Sequence, residues 1–249
     1  MGQVEAYTRL AGVYDEIVVD PCHGAWASFL HGLWSDDERG VHYVLDVCCG
    51  TGLLAVELAA LGYQVVGLDG SEAMLARARR RLRSQVRLVQ STLPTLAVTG
   101  EYDAAVCTFD GLNYLTPADL RSTLAALSLR IRPAGWLVFD VHTDAMMDFT
   151  VSRPVVHGEE GEHRFVISSV VDTRTRTCDT RIEVVPLEGG GAFSEHHRQH
   201  FHRAADLRSS LVDAGFEVTA VRDGYSERPA DASALSATWI ARRASGRRE

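Results

Sequence analysis

The chain has 249 residues, 46% of them apolar, and a formal charge of −8. That length suits one domain with a modest insertion, and the negative field excludes nucleic acid and anionic membranes as favoured partners. All 25 basic residues are arginine; the absence of lysine excludes Schiff-base chemistry and the P-loop lysine. Five cysteines without a CxxC pair argue against a disulfide framework or a zinc ribbon and for reduced thiols in the cytoplasm. MGQVEAYTRL lacks the layout of a secretory signal, and no apolar run approaches membrane-spanning length.

In chain order, Leu10, Val13, Tyr14 and Ile17 recur at helical spacing, predicting a helix over 3–19. A second helix is expected from Ala25 to Trp34. VHYVLDV then reads as a strand, LLAVELAALG as a helix stopped by Gly62, and YQVVGLD as the next strand. SEAMLARARRRL follows as a helix capped by Ser71, with the arginine run on its wet face. VRLVQ and EYDAAVCTF are further strands. Thr116, Pro117 and Asp119 open a helix expected to run to Ile131, and RPAG turns the chain into the strand GWLVFDV. This alternation is that of a doubly wound parallel sheet, whose ligand lies beyond the carboxyl ends of the strands. HRFVISSVVDTRT and CDTRIEVVPL instead read as an antiparallel pair, which EHHRQHFH extends, before a helix and two last strands.

The turn Cys48-Cys49-Gly50-Thr51-Gly52 lets backbone approach a ligand, and Asp69 stands about 20 residues on from it, where a ribose acid belongs. Read loosely the turn fits a dinucleotide fingerprint, which keeps a nicotinamide oxidoreductase as an alternative. Asp46 at the strand end weighs against it, because a carboxylate repels a pyrophosphate and favours a cationic ligand. A cofactor with an adenosine, a positive centre and an amino-acid tail meets both requirements.

VLDVCCGTG, GLDGSEAML, EYDAAVCTFDGLNYL and PAGWLVFDV, in this order, resemble the successive motifs of class I S-adenosylmethionine-dependent methyltransferases of small-molecule type, and YTRLAGVYDEIV resembles their lid helix. The resemblance implies a Rossmann-like α/β fold with a mostly parallel seven-stranded sheet and a small antiparallel β insertion. It implies a helical lid over 1–40, a cofactor-binding core of 41–150 and 203–249, and an insertion, 151–202, covering the acceptor pocket. S-adenosyl-L-methionine is the implied cofactor and S-adenosyl-L-homocysteine the product. The methionine portion falls to Asp46, Cys48, Cys49 and Gly50, the ribose to Asp69, and the adenine to Gly70, Met74, Ser91, Thr92 and Leu93. Thr108 and Phe109 form the floor, and Tyr14 closes the site, with Arg9, Trp26 and Asp110 as weaker candidates. Cys48 replaces the usual first glycine of the turn, and Thr92 an acid often found there.

The acceptor is expected to be a small molecule, methylated at nitrogen or oxygen in specialised, antibiotic-type metabolism. The resemblance to amino-sugar N-methyltransferases favours nitrogen; a phenolic O-methyltransferase is the alternative, and a protein that binds the cofactor without transfer a further one. His197, preceded by Glu195 and followed by Arg198 and Gln199, His142 and Tyr14 are the catalytic candidates, since histidine is the natural proton acceptor near neutral pH. Asp140, Asn113 and Tyr114 are other polar groups in reach. His196, His200 and His202 share one strand face, but no metal is expected. Oligomeric state is left open, with a homo-oligomer among the options.

Overall fold

The computed structural model describes residues 6–17 and 22–245. A 3-10 turn, Leu10–Gly12, precedes α1 (Tyr14–Ile17) and α2 (Cys22–Ser35). The core then alternates β1 (Tyr43–Val47), α3 (Leu53–Ala60), β2 (Gln64–Asp69), α4 (Glu72–Leu82), β3 (Arg87–Gln90) and β4 (Tyr102–Cys107). A second 3-10 turn, Gly111–Tyr114, leads to α5 (Pro117–Ser128), β5 (Ile131–His142) and α6 (Asp144–Ser152). Strands β6 (Val155–Glu160), β7 (His163–Asp172), β8 (Thr177–Pro186) and β9 (Phe193–His200) follow, then α7 (Ala204–Asp213), β10 (Phe216–Asp223) and β11 (Ser236–Arg243).

Seven strands form one sheet in the order β10-β11-β5-β4-β1-β2-β3; β11 runs antiparallel to both its neighbours and the other pairs are parallel. The strand order reverses between β1 and β4, so their carboxyl ends open the crevice where such sheets take ligands. Strands β6 to β9 make a separate antiparallel sheet. Buried apolar side chains fill both faces of the large sheet, Leu45, Leu137 and Phe139 on one and Val44, Val106 and Val138 on the other. Two glycines let the turn after β1 sit low: a Cβ on Gly67 would lie 2.9 Å from Cys49 Sγ, and one on Gly52 2.8 Å from Leu82 Cδ1.

Several elements depart from the expectation. Of the helix expected over 3–19, residues 3–5, 18 and 19 lie outside the described residues, and the rest holds a 3-10 turn and the short α1. Tyr7 has φ of 61°, and the N–H groups of Tyr7, Arg9 and Leu10 are taken by a distant carboxylate rather than by helical carbonyls. The last helix turn expected before Ile131 is absent because Ile131 already pairs with Tyr102, and RPAG lies inside β5 as an irregularity with Ala134 at φ 56°. Helix α6 and edge strand β6 were not expected.

Asp37, just beyond α2, ties that helix to the sheet. Its side chain, 2% exposed, accepts Trp136 Nε1 at 2.8 Å and pairs with Arg242 at 3.1 Å and Arg132 at 3.5 Å. Burial opposes ionisation, but the indole, a backbone N–H and the two guanidinium groups outweigh it and hold the carboxyl below its usual range. Asp37→Ala strands an indole N–H and Arg242, while Arg132 keeps Asp103 at 2.6 Å, and urea denaturation is expected to show a loss of about 3 kcal/mol.

Candidate active site

Asp46 lies one residue before the end of β1, in register with Gly67 and Val106, and its side chain is shut off from water. Its Oδ2 has no hydrogen-bond partner among the described residues. Burial first, and then the charge of Asp69, pushes its carboxyl up to about 8. A buried carboxyl without a partner is costly, and a positively charged ligand group relieves it. Asp69, ending β2, accepts Gly50 N–H at 2.9 Å and Ser71 N–H at 2.8 Å, so one carboxylate joins the turn after β1 to the start of α4. Burial raises Asp69 despite these donors.

A cavity of about 40 Å³ beside this turn is lined by Tyr14, Asp46, Cys48, Cys49, Gly50, Thr108 and Phe109 among others. These seven sequence candidates therefore surround one space, together with Thr51 of the same turn, Leu53 and Leu54 just after it, and His23, which was not anticipated. Gly70 lies against Thr92, whose Oγ1 would be 3.2 Å from an added Cβ. Ser91 holds its own loop, donating to Thr95 O and accepting Ala97 N–H. Leu93 packs on the core, and Met74 is buried in the first turn of α4, its N–H capped by Ser71.

The floor is set by two non-glycine residues in left-handed conformation, Phe109 (φ 61°) and Asp110 (φ 51°). Asp140 in β5 holds them there by accepting Phe109 N–H at 2.7 Å and Asp110 N–H at 2.9 Å. The Tyr225 hydroxyl donates to the same carboxylate at 2.8 Å and the Tyr225 ring lies 4.8 Å from Trp26, which in turn meets Phe109 at 5.8 Å. Burial pushes the Asp140 carboxyl up to about 6, against its donors. Asp140 thus shapes the floor rather than facing a ligand, and Tyr225, from a loop with no recognisable motif, is a residue the sequence reading missed.

Asp110 is directed toward His142, whose Nε2 lies 3.9 Å from its Oδ1, and Gln199 of β9 donates to its other oxygen. Burial raises Asp110 to about 7, opposed by Gln199 and the nearby His197; burial lowers His142. His197, 4% exposed, faces Glu195 and bonds through Nδ1 to the Tyr114 hydroxyl at 2.9 Å, which meets the Tyr7 hydroxyl at 2.7 Å. Arg198 points the other way and pairs with exposed Asp179. His200 and His202 turn toward a separate cavity, and no group of three metal-ligating side chains occurs among the described residues.

The N-terminal segment is clamped over this site from both sides. Glu195 accepts N–H from Tyr7 at 2.7 Å, Arg9 at 2.5 Å and Leu10 at 2.8 Å. Burial raises its carboxyl, but His197 and the three N–H groups prevail and keep it below its usual range. From α4, Arg77 donates to Gly12 O, and Arg81 donates to Thr51 O and pairs with Asp15 at 2.6 Å. The arginine run is therefore only partly a solvated face; two of its members hold the N-terminal segment. With this segment in place the cavity of about 40 Å³ is far smaller than a pocket for a drug-sized ligand, roughly 300–1,000 Å³. Glu195→Gln removes the charge from three hydrogen bonds and is expected to speed amide exchange at Tyr7, Arg9 and Leu10 about tenfold or more. Unchanged exchange there would show that Glu195 contributes nothing to holding this segment.

Residues 44–135 match the family model described as a methyltransferase domain. A putative methyltransferase of Geobacillus sp. (strain WCH70) is 28% identical over 91% of this chain and 96% of its own length. The dTDP-3-amino-3,4,6-trideoxy-alpha-D-glucopyranose N,N-dimethyltransferase of Streptomyces venezuelae is 27% identical over 74% of this chain and 79% of its own. The crystal structure of an S-adenosylmethionine-dependent methyltransferase from Clostridium acetobutylicum ATCC 824 shares the fold, with a TM-score of 0.86 at 21% identity over 96% of this chain and all of that one. The chain carries a methyltransferase domain on a doubly wound sheet of the class I fold and is an S-adenosylmethionine-dependent methyltransferase, and its buried Asp46 Oδ2, without a hydrogen-bond partner among the described residues, suits a cationic cofactor.

Proposed function

We propose that the enzyme methylates the nitrogen of a small amine of natural-product, antibiotic-type biosynthesis. The observation that carries this reading is the contact between Asp110 and His142 at 3.9 Å under the clamped lid. A buried acid attracts an ammonium, and the neighbouring imidazole, kept neutral by burial, takes its proton at Nε2 to free the lone pair. The S. venezuelae relative, an amino-sugar N,N-dimethyltransferase by name, supports nitrogen over oxygen. A neutral His142 also serves a phenol, which keeps a phenolic O-methyltransferase as the second reading.

S-adenosylmethionine, when bound, supplies an electrophilic methyl carbon on a sulfonium. Asp46, with Cys48, Cys49 and Gly50, takes the amino-acid end, because the partnerless Oδ2 suits an ammonium. Asp69 takes the ribose, and Gly70, Met74, Ser91, Thr92 and Leu93 border the adenine. Thr108 and Phe109 form the floor and Tyr14 the cover. In-line displacement asks mainly for alignment and exclusion of water, and the lid over 1–40 and the insertion over 151–202 serve both against the core. His197 works through Tyr114 as a positioning residue.

Labelled methyl transfer to panels of amines, amino sugars included, and of phenols tests the proposal: methylated amines are expected, and phenol products alone would overturn it. Asp110→Asn is expected to lower amine turnover about tenfold to a hundredfold, by loss of a charged contact, while S-adenosylhomocysteine affinity changes less than twofold.

Asp46 makes cofactor affinity depend on pH. Its carboxyl is raised to about 8 in the ligand-free protein, and the charged form is the one that pairs with an ammonium. Calorimetric affinity for S-adenosylhomocysteine is therefore expected to rise from pH 6 to 7.5 with proton release. Asp46→Asn is expected to flatten that rise and weaken binding about tenfold or more. The same raised carboxyl stabilises the ligand-free fold when protonated, and that contribution is lost as pH climbs through 8.

A further inference from the structure

Behind the 3-10 turn Gly111–Tyr114 lies a second cavity of about 280 Å³, bounded by α5, the β7–β8 turn, the end of β9 and the start of α7. In a chain of net charge −8 its lining is the opposite of the whole. Arg121, Arg174, Arg176, Arg203, His200 and His202 face one carboxylate, that of Asp206. Arg176 is fixed: its Nε donates to Phe201 O at 2.8 Å, another of its nitrogens pairs with Asp144, and its side chain is only 12% exposed. His202 is held as well, its Nε2 donating to Leu112 O at 3.2 Å. Arg174 pairs with Asp172 only at 4.0 Å, and Arg121 and Arg203 make no ion pair among the described residues. Thr175 and Ser210 add hydroxyls to the wall.

Like charges held together raise one another's energy, and an anion among them removes that cost. Guanidinium groups offer forked donors that match the oxygens of a phosphate. We infer that this cavity is a binding site for the phosphate or diphosphate group of a small molecule, separate from the methyl-transfer pocket. The two are back to back across one short turn. The His200 carbonyl accepts Asn113 Nδ2 at 2.7 Å, and Asn113 Oδ1 accepts the N–H of His142 at 3.1 Å. The site stands whether or not the acceptor is an amine, since none of its cations belongs to the residues assigned to transfer.

The test is calorimetric titration of the whole protein with inorganic phosphate, pyrophosphate and a nucleoside diphosphate. Saturable binding that weakens with added salt is expected. The double substitution Arg121→Gln and Arg203→Gln should weaken it at least tenfold, whereas Arg198→Gln, in an exposed pair elsewhere, should not. S-adenosylhomocysteine titration of the double variant should match the parent, showing that the fold and the cofactor site are intact. Equal affinity for pyrophosphate and the nucleoside diphosphate marks a site for the free anion; tighter binding of the nucleotide marks one that also holds the attached organic group. Binding of none of the three, or binding untouched by the double substitution, would overturn the inference.

Discussion

The carboxylate of Asp140 is the constraint on which the site depends. Phe109 and Asp110 both sit at positive φ, a conformation that costs a residue with a Cβ of the order of 1–2 kcal/mol. Two charge-assisted hydrogen bonds from a buried carboxylate exceed that cost. The strained pair then presents an aromatic ring to the cavity beside β1 and a carboxylate to His142. Tyr225 and Trp26 add a hydroxyl and a ring to the same arrangement, so elements from both ends of the chain brace one short loop.

Closure over the floor is a balance of charge. The N-terminal segment is too short in regular structure to pack by itself, and it is held by Glu195 on one side and by Arg77 and Arg81 on the other. These contacts come from the insertion and from α4, which the chain separates by more than a hundred residues. A chain of hydrogen bonds runs on from the Tyr7 hydroxyl through that of Tyr114 to His197.

Burial does the electrostatic work. Asp46, Asp110 and Asp140 are all raised by loss of water, to about 8, 7 and 6, and the order follows how well each is supplied with donors. Asp140 has four, from Phe109, Asp110, Tyr225 and Ser236, Asp110 has Gln199, and Asp46 Oδ2 has none among the described residues. The least satisfied acid lies beside the small-residue turn after β1, an environment that suits a cationic group.

Strand and helix alternation, the turn after β1 and the caps at Ser71 and Thr116 were legible in the sequence, because they rest on local periodicity and on side chains that bond two or three residues away. The cofactor class was legible from an acid at a strand end followed by small residues, a pattern that needs no distant partner. What depends on contacts across the chain was not legible. Nothing local marks Tyr225 as a donor to Asp140, or Arg77 and Arg81 as a clamp on residues 65 or so positions earlier. The N-terminal helix failed for the same reason: helical spacing is present, but Glu195 offers the N–H groups of Tyr7, Arg9 and Leu10 a charged acceptor that a helix cannot match. The sequence by itself determined the doubly wound core and the acid at its switch point, since both are written in nearest-neighbour chemistry. The tertiary structure alone decided which buried charges meet, because a carboxylate finds its partners only once burial has excluded water.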